Sequence, residues 1–346
     1  MSISSKITIA ANNGSIGGGE VMLLNIAESL RDLDVPVSVV APGGNGEVQE
    51  LGDEAGRRGF DVVTLPAESR FEWMRQLRSW DARERRGLLW CNGLVPAVAT
   101  IGHADRIVHF HQRPAGTAQN LLAKLARFRA RRVLVSSKNM LEALPGATVL
   151  ENWCDDVTVQ PRQMSTPVIV GFLGRPSTDK GVEVLVKAML ELDVRHPGRY
   201  LLALGGTPKF VDNRAVDSVE RALQKADHVV DRLGWVSRDE FFSGVDVLAV
   251  PSLAAESFGL VAAEAMAAKV PLVVSDAGAL PEVVGGHGTV VPKGRPGALA
   301  DAIERLAEDQ PVRDSAATSL RQRWESYYSP DAGRIRVARL LEELVP

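Results

Sequence analysis

Short apolar runs alternating with helical stretches, twice along the chain, narrow the possible folds more than any other feature. In the first half, Ile7–Ala10, Val37–Val40, Asp61–Leu65, Leu88–Trp90, Ile107–Phe110 and Val133–Val135 read as strands, with helical stretches such as Val21–Arg31 between them. Strands that carry apolar residues on both faces are covered by helices on both sides, so the pattern predicts a doubly wound parallel α/β sheet. The alternation restarts at Val168 and runs to about Gln322. Between the halves, the polar, proline-punctuated piece from Val159 to Pro167 is the expected linker. At 346 residues the chain is long for a single core and suits two, which we expect over residues 1–160 and 168–322.

The chemistry-bearing residues cluster at predicted strand ends. Val245, Val247, Leu248 and Val250 form an apolar strand ending at Pro251, and Leu260 to Ala268 is rich in helix formers. The start of that helix, at Gly259, Leu260 and Val261, offers free amides and a positive dipole end to an anion such as a phosphate. Glu256 precedes the helix and Glu264 lies within it. A carboxylate repels phosphate, so both suit sugar hydroxyls better. A second strand, Val168 to Phe172, leads into Gly174-Arg175 and Lys180-Gly181, ahead of Val182, Leu185, Val186 and Met189 at helical spacing. Its guanidinium and ammonium sit at the carboxyl end of a strand, the ligand-binding edge of an open parallel sheet, and together they match a diphosphate. Taken singly, each also fits a plainer role: a Glu stabilised by the helix dipole, or a solvated Arg or Lys.

Three features in order give the chain its family likeness: Gly174-Arg175 with Lys180-Gly181, Glu256 spaced seven intervening residues from Glu264, and upstream a glycine loop ending Gly17-Gly18-Gly19-Glu20 with a His-bearing strand, Ile107 to His111. With these, the chain resembles glycosyltransferase family 4 over essentially its whole length. The resemblance implies a GT-B fold: two facing Rossmann-like α/β domains, with residues 323–346, including a helix near Asp331–Leu344, crossing back onto the first. It also implies retaining transfer of a sugar from a nucleoside-diphosphate donor, UDP favoured, to a hydroxyl acceptor. On that pattern Arg175, Lys180 and the amides from Gly259 through Leu260 to Val261 hold the leaving diphosphate. Glu264 holds the ribose, Glu256 orients the donor sugar, Phe258 belongs to the same donor-binding stretch, and the backbone near Val236 meets the base. Gly18, Gly19 and His111 fall on the acceptor side, His111 near the reactive carbon, where an imidazole bonds a hydroxyl or buffers its proton. The family's hinge glycine is replaced by Trp153 in Asn152-Trp153-Cys154-Asp155, which makes a positive-φ turn costly there. Its Gly-Gly pair is replaced by Asp276-Ala277-Gly278-Ala279.

Other classes fit less well. The first glycine loop lacks Gly-x-Gly-x-x-Gly spacing, which argues against a nicotinamide oxidoreductase, and Glu20 there suits a helix-entry turn. His109 and His111 alternate on a strand and point the same way, but no carboxylate or thiol nearby completes a metal set. With no Asp-x-Asp pair placed on the diphosphate, we expect neither metal nor other cofactor. A net charge of −3 argues against a nucleic-acid partner, and two cysteines, Cys91 and Cys154, point to a reducing, cytoplasmic setting. No apolar run approaches a membrane span, and the N-terminus does not read as a signal peptide. A sugar-nucleotide epimerase and a non-catalytic sugar-nucleotide sensor remain alternatives. One feature lies outside the resemblance. Residues 106–141 hold no Asp or Glu but carry Arg106, Arg113, Lys124, Arg127, Arg129, Arg131, Arg132 and Lys138, with Leu121, Leu122, Leu125 and Phe128 at helical spacing. The stripe either packs on the sheet, leaving solvated charges, or faces an anionic acceptor or membrane surface.

Overall fold

The computed structural model describes residues 6–43, 49–159, 166–208 and 211–344, so the expected linker lies partly outside the described residues. The chain divides into two compact units, one of Met1–Trp153 with Pro330–Pro346 and one of Cys154–Ser329.

In the first unit, strands β1 (Ile7–Ala10), β2 (Val37–Gly43), β3 (Asp61–Pro66), β4 (Leu88–Asn92), β5 (Arg106–Phe110), β6 (Arg132–Val135) and β7 (Thr148–Val149) form one sheet in the order β3-β2-β1-β4-β5-β6-β7. The second unit holds β8 (Val168–Leu173), β9 (Tyr200–Gly205), β10 (Val230–Gly234), β11 (Val247–Val250), β12 (Leu272–Ser275) and β13 (Thr289–Val291), ordered β10-β9-β8-β11-β12-β13. Every pairing is parallel. Both are the doubly wound topology expected of Rossmann-like units. In each, the first strand pairs with two neighbours, β1 with β2 and β4 and β8 with β9 and β11, so the connections diverge beyond its carboxyl end and leave a crevice. Buried Val, Ile, Leu and Ala fill both faces of both sheets, which is why the central strands read as continuous apolar runs.

The first division falls between adjacent residues with different cores. Trp153 packs with Ile9, Met22 and Val337 in the first unit, and Cys154 with Phe258 and Trp324 in the second. The return to the first unit begins at Pro330, because Trp324 and Tyr328 are held in the second: Trp324 Nε1 donates to Cys154 Sγ at 3.3 Å and Tyr328 meets Phe258 edge to face at 5.4 Å. The helix Pro330–Leu344 then lies on the helix Gly18–Asp32. Among the described residues no helix is long and apolar enough to cross a membrane. Arg106 belongs to the core rather than to a basic surface. Its guanidinium is fully buried and donates to the carbonyls of His103, Ala97, Ala126 and Phe128 and to Thr100 Oγ1.

Trp153, in place of the hinge glycine, needs no left-handed backbone; among the described residues positive φ outside glycine occurs at Asp34, Asp105, Arg129 and Lys269. Its ring instead fills the space over Gly333, where an added Cβ would come within 2.3 Å of the indole, and Asn25 Nδ2 donates to its carbonyl at 3.0 Å. Indole and glycine are therefore a matched pair across the first unit. Gly333→Ala overpacks this contact at a cost of about 1–3 kcal/mol, lowering the melting temperature by about 2–10 °C in a thermal scan. An unchanged midpoint would show that the indole shifts freely.

Candidate functional site

In the second unit, the loops that follow β8 and β11 meet at the sheet's crevice. The Asp179 carbonyl accepts from Leu253 N at 2.9 Å and Ala254 N at 3.1 Å, so the backbone of one loop fixes the other. Gly181 makes the close approach possible: its φ is 73°, and an added Cβ would stand 1.9 Å from the Pro251 carbonyl oxygen. Lys180, one residue earlier, then reaches across. Its Nζ donates to Glu256 Oε1 at 2.7 Å, and Ser252 Oγ donates to the same oxygen at 2.5 Å. Ser252 is itself fixed, its carbonyl accepting from Ser275 Oγ at 2.6 Å. Glu256 is thus joined to both Lys180 and Ser252 through one oxygen. Arg175 stands exposed on the same loop, with no ion pair among the described residues.

Past Glu256, Gly278 forms an isolated parallel bridge with it, and Ala279 N donates to its carbonyl at 2.9 Å. A Cβ on Gly278 would come within 2.3 Å of that carbonyl, so the single glycine of this loop serves the backbone contact. Gly259, with φ 96°, turns the chain into the helix Leu260–Ala267, whose first internal bond runs from Ala262 N to Gly259 O. The amides of Leu260 and Val261 therefore have no partner within the helix. The Phe258 side chain is buried against Tyr328 and so reaches this edge only through its backbone. Val236 follows β10, half-buried, beside the 81 % exposed Trp235.

The two carboxylates have separate environments. Glu264, on the second turn of that helix, is pushed up to about 7 by burial, against the opposing effect of Arg238, whose Nη1 lies 3.5 Å from Oε1; Asp155 adds a smaller upward push. Burial outweighs the ion pair.

In the first unit, the glycine loop after β1 and the ends of β4 and β5 form the corresponding edge. Asn92 Nδ2 donates to the Gly19 carbonyl at 3.0 Å, and His111 Nε2 lies 2.6 Å from Asn92 Oδ1. Because a carbonyl only accepts, the amide orientation is fixed, and Nε2 must carry the imidazole proton, leaving Nδ1 as an acceptor. Burial lowers His111 to about 4, so the ring is neutral at neutral pH and a poor base there. His111 Nδ1 itself is buried without a hydrogen-bond partner. The rings of His109 and His111 are 4.1 Å apart, both nitrogens of His109 are buried without a hydrogen-bond partner, and burial, then His111, holds His109 well below its usual value. Glu20 Oε2 accepts from Gly17 N at 3.1 Å, as expected of a helix-entry turn. Gly18 is exposed, and an added Cβ would meet nothing within 4 Å.

Sequence reading brought Lys180 with Glu256 and His111 with Gly19 to common edges; it missed Asn92, Ser252 and Arg238, polar residues outside any motif. It also missed His196, Glu304 and Glu308, whose ligand atoms lie close enough to hold a cation. Their carboxylates are already paired, Glu304 with Arg195 at 2.9 Å and Glu308 with Arg199 at 3.1 Å, and His196 stands at the far end of the helix Val182–Arg195 from Lys180.

The raised pKa of Glu264 has a measurable consequence. The unfolded chain releases this proton near 4.5 and the folded chain near 7, so its contribution to stability is complete below 4.5 and is lost as pH rises to about 7. Glu264→Gln removes that slope, worth about 2–4 kcal/mol across the window. Denaturant titrations at pH 5 and pH 8 should show the variant losing less stability than the parent; parallel losses would contradict it.

Comparison with known proteins agrees with the topology. Residues 167–309 match the model of the glycosyl transferases group 1 family. An uncharacterized glycosyltransferase of Methanocaldococcus jannaschii is 31% identical over 166 residues, 46% of this chain and 41% of its own length. A D-inositol 3-phosphate glycosyltransferase of Corynebacterium aurimucosum is 36% identical over 166 residues, 44% of this chain and 39% of its own. The chain thus spans about two fifths of the length of these curated relatives. Among solved structures, Anabaena HepE in complex with UDP-glucose superposes with a TM-score of 0.83 at 20% identity, covering 98% of this chain and 100% of that one. Sucrose-phosphate synthase of Thermosynechococcus elongatus gives 0.80 at 19%, covering 98% of each. By sequence, residues 167–309 match the glycosyl transferases group 1 model, and by structure the chain has the two-unit, Rossmann-like GT-B fold.

Proposed function

We propose that the chain is a glycosyltransferase that moves a sugar from a nucleoside-diphosphate donor, UDP by preference, to a hydroxyl acceptor, with retention and without a metal ion. The observation that carries this reading is the convergence of Arg175, the Lys180–Glu256 pair, the unpartnered amides of Leu260 and Val261, and Glu264 at the carboxyl ends of β8 and β11. A diphosphate needs cations and amides, a ribose and a hexose need carboxylates, and one edge of one unit supplies both. The Anabaena neighbour, described with UDP-glucose and with UDP and glucose, and the relatives named as glycosyltransferases support it.

In this reading Arg175, Lys180 and the amides take up charge on the leaving diphosphate. An ammonium has three donors, so Lys180 bonds phosphate while keeping Glu256. Both bonds to Glu256 use Oε1, which leaves Oε2 for the donor sugar. Glu264 accepts from the ribose hydroxyls, Phe258 and Gly259 shape the turn by their backbone, and the chain at Val236 meets the base. Gly18, Gly19 and His111 serve the acceptor side. The acceptor oxygen bonds to the sugar carbon as the bond from that carbon to the diphosphate oxygen breaks. The diphosphate keeps the electron pair and takes the acceptor's proton, so no enzymic nucleophile is needed. The cytoplasm is the setting we assign, consistent with two buried, unpaired cysteines.

Arg175→Ala and Lys180→Ala each remove a phosphate partner and should lower turnover of UDP-sugars by about 100- to 1,000-fold while the protein melts normally. Near-parental turnover in either refutes the clamp, and turnover abolished by EDTA refutes metal independence. Calorimetry separates the carboxylates: Glu264→Gln should weaken both UDP and UDP-sugar, whereas Glu256→Gln should spare UDP and impair transfer. Equal weakening of UDP by both variants rules out this division.

A further inference from the structure

We infer that the helix Gly116–Ala126 and the turn after it form a docking surface for an anionic lipid bilayer. This surface is independent of the transfer reaction proposed above. The side of the helix turned to the protein carries only Ala123 and Ala126 as buried residues. The large apolar residues face out: Leu121 is 57% exposed, Leu122 38%, Leu125 48% and Phe128 62%. At about 3.6 residues per turn, Leu121, Leu125 and Phe128 fall on one stripe, opposite the two alanines. The stripe therefore does not pack on the sheet, which removes the plainer reading of this segment.

The charges of the segment itself have one sign. Lys124 and Arg129 are exposed and make no ion pair among the described residues. Arg131 is paired with Asp105 at 2.6 Å, and Arg127 Nη2 donates to the Pro145 carbonyl at 2.6 Å, so these two are partly committed. No acidic residue lies in the sequence between Arg106 and Leu141. Beneath, buried Arg106 donates to the Ala126 and Phe128 carbonyls, a cation at the helix's carboxyl end that holds the stripe outward as a fixed surface.

Exposed leucines and a phenylalanine flanked by free cations are the two components of interfacial binding: apolar side chains enter the acyl boundary and cations meet anionic headgroups. A free phosphate ion would use the charges and leave the stripe in water. A second copy of this chain is disfavoured, because a two-fold contact sets Lys124 and Arg129 against their own copies. Four side chains also fall well short of the roughly 800 Å² per partner of a stable interface.

The test uses the full chain with phosphatidylcholine vesicles, with and without phosphatidylglycerol. The protein should sediment with the anionic vesicles, progressively less as salt rises from about 0.1 M toward 1 M, and stay in solution with phosphatidylcholine alone. Lys124→Gln with Arg129→Gln should lower partitioning about 25-fold, near fivefold per charge, and Leu121→Ser with Leu125→Ser and Phe128→Ser should abolish it, both variants keeping the parental melting temperature and UDP affinity. Inorganic phosphate at matched ionic strength should not compete. Failure of the parent to sediment, undiminished sedimentation of the serine variant, or competition by inorganic phosphate each overturns the inference. So does a dimer in light scattering that the serine variant dissociates, which assigns the stripe to self-association.

Discussion

In the second unit everything at the candidate site depends on a backbone contact between two loops that leave neighbouring parallel strands. β8 and β11 run side by side, so the chain emerges from both at the same edge. The Asp179 carbonyl then binds two consecutive amides, of Leu253 and Ala254, and Gly181 lets the first loop press against Pro251. Only with the backbones locked does a long, flexible Lys180 side chain find Glu256 at 2.7 Å. The ion pair alone, partly exposed, is worth little. The rigid frame sets the geometry, and the pair reports it.

The same frame separates two carboxylates that lie close in sequence. Glu256, before the helix, accepts from an ammonium and a hydroxyl. Glu264, on the second turn, is mostly buried beside the Arg238 guanidinium, whose effect desolvation outweighs, and its proton affinity rises. Two carboxylates eight positions apart therefore meet different partners in different surroundings. In the first unit the equivalent device is the chain from Gly19 through Asn92 to His111, in which one carbonyl sets an amide, the amide sets a tautomer, and burial keeps the ring neutral.

How much of this was legible in the sequence follows from which interactions are local. Strand and helix alternation is a short-range pattern, so the two doubly wound sheets could be read directly. Arg175, Lys180, Glu256 and Glu264 could be singled out because strand ends bring chemistry to the edge of such a sheet. Asn92, Ser252 and Arg238 could not, because each matters only through a partner on another segment. The point where the chain leaves the first unit was equally hidden. Proline and polarity placed the linker after Val159, whereas the change of core falls at Trp153, whose indole is matched to Gly333 far along the sequence.

The helix Gly116–Ala126 shows the limit of periodicity as evidence. A repeat of leucines at helical spacing says that they share a side, and by itself it does not say what that side meets. Here the packing surface is built of alanines, which let the helix lie close to the unit without large side chains between. The leucines are left outside because small residues already satisfy the inner contact. Leaving them in water contributes no apolar burial to the folded chain, and the exposed Lys124 and Arg129 adjoin them in sequence. Arg106 completes the argument: a buried guanidinium spent on neutral carbonyls at the end of this helix, Ala126 and Phe128 among them, fixes the direction in which the stripe points.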